Sequence, residues 1–115
     1  MKTAAQRWTE LLDILQVSAM GDRPSEFGVA HLTPKFGALN LVQSFDWMHW
    51  NEPFPQREQM QMMDLETAIK HITRFCRAER FMEGSLWGGV QSGALLGLCL
   101  VVQQHTDGEA APNVM

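Results

Sequence analysis

Glu79, Arg80 and Glu83 close the segment RFCRAERFMEG at positions where charge is out of place. Set out on a helical wheel at about 100° per residue, the two glutamates fall in the middle of an apolar stripe and the arginine at its edge. A carboxylate held among apolar groups needs a partner, and carboxylates kept in such places often carry the shifted acidity that proton transfer uses. One reading makes the three residues the polar floor of a pocket, with Glu79 or Glu83 as acid or base and Arg80 holding an anion. The other lets the last helical turn project beyond the core into water.

The remaining reactive residues are less informative. His31, His49, His71 and His105 lack the spacing of a metal-binding motif, and Asp46 with His49 is too short a constellation to hold an ion. No nucleophile elbow and no phosphate-cradling glycine loop after a strand is present. The reading therefore assigns no catalytic residue, no metal and no cofactor. Cys76 and Cys99 sit apart in apolar segments and read as small buried hydrophobes, which suits a reducing cytoplasm.

A second cluster points to binding instead. Trp47, Met48, Trp50, Phe54, Met60, Met62 and Met63 crowd into a stretch with two prolines and no clean period. Tryptophan and methionine are enriched where proteins meet partners, and methionine adapts its shape to them. Trp47, Trp50, Phe54, Met60, Met62 and Met63 are accordingly the candidate partner-binding residues. In the alternative, the tryptophans fold back as a satellite core.

The elements that must position these residues are helices. Ala4, Ala5, Trp8, Leu11, Leu12 and Leu15 repeat at helical spacing over residues 4–17, and a short extended piece can follow at 27–32. Thr33 and Pro34 open a second helix to about residue 45, with Ala38, Leu41, Val42 and Phe45 inward and Asn40 and Gln43 wet. Residues 46–63 form a long irregular connection. Asp64 caps a third helix whose stripe runs from Leu65 to Met82 and stops at Gly84. Ser85 caps a fourth, residues 86–104, apolar almost all round and so central, yet short of a convincing membrane span.

The expected fold is all-α, a compact bundle of about four helices forming one domain over residues 1–104, with 105–115 as a disordered tail. Ser85, Gly89, Gly93 and Gly97 recur every four residues along the fourth helix and predict a smooth face. Interior glycines cost about 1 kcal/mol each, so something must approach that face closely: the third helix in the first instance, a second copy of the chain or a ligand in a groove in the alternative.

Charge excludes some partners. The formal net charge is −4, from 9 basic and 13 acidic residues, and the basic ones form no run that could neutralise a phosphate backbone. Sequence-general nucleic-acid binding is not expected, nor is a secretory leader, since Arg7, Glu10 and Asp13 interrupt the N-terminal apolar pattern.

The strings SFDWMHW, RFCRAERFMEGSL and VQSG, in that order over about residues 44–102, resemble a small bacterial family catalogued only as a domain of unknown function. The resemblance rests on an FDWMxW-like segment, an RAxRFxEG segment and a final helix opening with an SG pair. It adds Asp46 and Arg77 to Glu79, Arg80 and Glu83 as motif residues, and implies no activity.

The reading that follows is a non-enzymatic module that binds a protein partner through residues 46–63, braced by Glu79, Arg80 and Glu83. One specific form is a phage- or mobile-element-borne inhibitor of a bacterial defence complex, of the anti-CRISPR kind. The alternative is a small-ligand binder or an unconventional enzyme. Exposed tryptophans and methionines on a flat surface favour the first, and a concave pocket with carboxylates at its base the second.

Overall fold

The computed structural model describes residues 1–19 and 31–115, and within them every regular element is helical. In chain order these are α1 (Ala4–Ala19), α2 (Leu32–Ala38), a single 3-10 turn (Trp47–His49), α3 (Arg57–Met60), α4 (Leu65–Ala78), α5 (Ser85–Gln91) and α6 (Ala94–Thr106). The extended piece expected near residue 27 lies mainly outside the described residues, and Leu32 itself opens α2.

The helix α6 is central, packing against α1, α3, α4 and α5. It can be because Leu95, Leu98, Cys99, Val101 and Val102 bury on several sides, as its apolar composition requires. Around it, α1 contributes Trp8, Leu11 and Leu15, all fully buried, and α4 contributes Ala68, Ile69, Ile72, Phe75 and Cys76. Glu10 accepts ion pairs from Lys2 and Lys35 and so ties α1 to α2. Hydrogen bonds from Lys2 and then Lys35 hold its carboxyl down at about 2.

Four segments depart from the sequence expectation, and the first is the third expected helix, α4, which closes at Ala78 rather than at Gly84 and leaves Met82 exposed. The second helix stops at Ala38 rather than near residue 45, because Asn40 takes a left-handed conformation (φ 60°) and turns the chain inward. Gln43, expected on the wet face, is buried instead. Its backbone N–H donates to Thr73 Oγ1 at 3.0 Å, and its side chain donates to the carbonyls of Asn40 and Pro112.

The expected fourth helix is two. Gly93 sits at φ 82° and opens α6, so the chain bends by 75° between α5 and α6. The four-residue stripe is thus split. Gly89 packs against the Phe75 side chain, Gly97 lies under Met60, and Gly93 serves the bend with nothing close to it. Among the described residues no single helix is long and apolar enough to cross a membrane.

The C-terminal segment, expected to be a disordered tail, is docked. Trp8 Nε1 donates to the Glu109 carbonyl at 2.8 Å, Ala111 N–H donates to the Leu39 carbonyl at 2.9 Å, and Val114 N–H donates to Gln43 Oε1 at 2.9 Å. Asn40 donates to the Ala111 carbonyl, and Ala111 is buried. An irregular segment of this kind needs no periodicity of its own, since side chains distant in sequence supply its partners.

Candidate functional site

The helix α4 packs against the 3-10 turn and also against α5, and leaves between those two neighbours a groove of about 790 Å³. The 46–63 connection supplies one wall with Trp47, Met48, Trp50 and Phe54, while α4 supplies Arg74, Phe75 and Ala78. The other wall is Gly84, Ser85, Gly88 and Gly89, where a helix with almost no side chain faces open space: a Cβ added at Gly88 would meet nothing within 4 Å. Gly88 therefore leaves room in the groove, whereas Gly89 lets Phe75 and Leu95 pack closely behind it.

Aromatic contacts hold the wall of the connection in place. Arg74 is the centre of these contacts, with its guanidinium carbon 4.7 Å from the Trp50 ring centroid and 4.5 Å from that of Phe54. Trp50 lies 4.6 Å from the His71 ring, and Phe54 lies 5.2 Å from Phe75. Arg74 Nη1 donates to the Glu52 carbonyl at 2.7 Å and Nη2 to His71 Nδ1 at 3.0 Å, which makes His71 the acceptor and so the neutral tautomer protonated at Nε2. Arg74 Nε is buried without a hydrogen-bond partner. Burial among these rings lowers the guanidinium pKa, partly offset by the Glu52 charge.

Burial, helped by the Arg74 charge, pushes the His71 pKa down to about 4. The unfolded chain therefore binds a proton before the folded one does, so stability falls as pH drops below the ordinary histidine value and levels off near the folded pKa. Allowing for solvent screening, urea unfolding should give a value about 1–2 kcal/mol lower at about pH 5 than at about pH 7.5. His71→Gln, which keeps an acceptor for Arg74 and cannot titrate, should flatten that difference; an unchanged pH dependence would contradict the account.

The predicted residues divide. Trp47, Trp50 and Phe54 come together on the groove. Of the three candidate methionines, Met60 joins them on the lining and Met62 and Met63 do not. Met60 is buried because α3, closed by a reciprocal Gln56–Gln59 capping box, turns it onto Gly97. Met62 stands fully in water, and Met63 packs partly against the core.

Glu79, Arg80 and Glu83 do not line the groove. The Glu79 carboxylate instead accepts the backbone N–H groups of Gly84 at 3.0 Å and Leu86 at 2.9 Å, and so caps α5 in place of Ser85, whose hydroxyl donates to the Met82 carbonyl. Arg77, Arg80 and Glu83 are exposed, as is Asp46, whose carboxylate pairs with His49 Nδ1 at 2.8 Å. The bracing of the connection falls to Arg74 and His71, which the sequence reading passed over. Their only sequence signal is polarity at the edge of the α4 stripe. Burial pushes the Cys76 thiol up to about 12 and raises Cys99 as well, leaving both unreactive. No group of histidine, cysteine and carboxylate side chains among the described residues could hold a metal ion.

An all-helical domain with an aromatic groove defines a class and no reaction. A family model described as a family of unknown function, DUF6508, matches residues 15–107, and the chain belongs to that family. No curated protein and no solved structure matches the chain significantly.

Proposed function

We propose that the chain is a non-enzymatic recognition module that takes apolar side chains of a protein partner into the groove beside α4. The observation that carries this reading is the rim. Met48, Phe54 and Met82 line the groove yet are 65%, 60% and 64% exposed, and Phe81, packed 5.9 Å from Trp47, is 69% exposed. Large apolar groups gathered around a cleft mark a site that another surface covers. The acid–base alternative has less support, since Glu79 accepts from the start of α5 and the described residues lining the groove include no carboxylate. A free apolar ligand is the second reading, favoured by a concavity of the volume that small molecules occupy. Small size and acidic balance are in keeping with the narrower form of the proposal, an inhibitor of a bacterial defence complex, for which the groove would be the contact face. Buried, unreactive thiols are in keeping with a reducing cytoplasm.

The neutral fluorophore phenylnaphthylamine tests the groove directly. It should bind saturably to the natural chain and about tenfold or more weakly to Gly88→Leu, whose side chain would fill the open space without touching the core. A helical peptide with leucines at every third and fourth position should displace it. Binding that ignores Gly88→Leu would overturn the proposal, and dye binding that the peptide cannot displace would select the small-ligand reading.

A further inference from the structure

We infer that Arg74 is a positioning residue that locks the Trp50–Phe54 wall, and that the groove it shapes selects an uncharged occupant. This rests on the reading of the groove as the recognition site. Among the described residues that line the groove, Arg74 is the one formally charged side chain, and it would ordinarily be taken as an anion receptor. Its surroundings assign it elsewhere. Two rings lie against the guanidinium, Nη1 is committed to the Glu52 carbonyl, Nη2 to His71, and Nε is closed off from solvent. An anion could reach Nε only by dislodging the aromatic wall.

The N-termini of α5 and α6 also border the groove, and at that of α6 the Ala94 N–H donates to Ser92 Oγ at 3.3 Å. The N-terminal amides of α5, at Gly84 and Leu86, already have the Glu79 carboxylate, so the wall beside Gly84 and Ser85 offers no free positive end. What is left facing the cleft is aromatic, methionine and glycine surface with a few neutral polar groups, Gln56, Ser85 and Ser92. A charged group entering there would shed its water with only the second N–H groups of an already engaged guanidinium to replace it. Lysine could not replace Arg74, because a planar guanidinium alone stacks on two rings while donating sideways to two acceptors.

Two dyes of the same ring skeleton separate the possibilities: neutral phenylnaphthylamine and its sulfonated relative, anilinonaphthalene sulfonate. The natural chain should bind the neutral dye about tenfold or more tightly than the sulfonate. Arg74→Lys, which keeps the positive charge, should weaken the neutral dye about tenfold and shift the Trp50 indole N–H resonance while leaving far-ultraviolet helicity in place. A tighter complex with the sulfonate, retained by Arg74→Lys, would overturn the inference and make Arg74 an anion receptor. If Arg74→Lys does not fold, the comparison of the two dyes on the natural chain still decides it. If neither dye binds the natural chain, it is the groove reading that fails.

Discussion

Gly89→Leu is expected to lower the free energy of unfolding by about 3 kcal/mol or more, while Gly88→Leu, one residue earlier, is expected to raise it by up to about 1 kcal/mol. The two glycines occupy the same short helix and differ only in what they face. A Cβ at Gly89 would come within 2.8 Å of the Phe75 ring and 3.0 Å of Leu95, both buried, and a leucine there must drive Phe75 out of its packing. At Gly88 the space is open, so the substitution removes the backbone entropy of glycine at no steric cost. Urea unfolding of the two variants measures the contrast. Equal stabilities would mean that α5 is not seated against α4 as described.

Deletion of residues 109–115 is expected to cost about 3–5 kcal/mol. The deletion removes the acceptors of the Trp8 indole and of the Gln43 and Asn40 amides, removes the partner of the Leu39 carbonyl, and uncovers the core beside Ala111. Each lost hydrogen bond is worth about 1 kcal/mol, and a buried donor left unpaired costs more. A domain of this size has only about 5–15 kcal/mol in total, so the truncated chain should melt early or fail to fold. A thermal midpoint unchanged by the deletion would show that the segment is not part of the folded unit.

The sequence pattern carried the parts of this fold whose burial repeats with helical period. The Trp8, Leu11 and Leu15 stripe of α1 and the Ala68, Ile69, Ile72, Phe75 and Cys76 stripe of α4 lie inward as their spacing requires. The failures share a cause: the deciding partner is remote or conformational. Glycines every four residues read as one face, yet Gly93 is needed at positive φ and breaks that face in two. The C-terminal segment has no period, and its order comes from Trp8, Asn40 and Gln43. The demand that Glu79 find a partner was sound, but the partner is the start of the next helix and not the connection.

The candidate site was legible in the same partial way. Trp47, Trp50 and Phe54 stand out because large aromatics gather where a loop should be polar, and they do share one cleft. Met60 lines that cleft while being largely buried, because a single turn of helix, set by the Gln56 cap, turns it onto Gly97. Arg74 gave no warning at all. A cation on a helix edge normally reads as solvated, and only the fold brings Trp50 and Phe54 onto it.

Chemical-shift mapping with phenylnaphthylamine tests the groove most directly. Titration into the isotopically labelled chain should move the backbone amides of Gly84, Gly88, Gly89 and Gly93 together with the indole N–H groups of Trp47 and Trp50, and leave Trp8 and the 109–115 segment unmoved. Shifts confined to other surfaces, or spread evenly over the chain, would contradict the assignment of the groove as the recognition site.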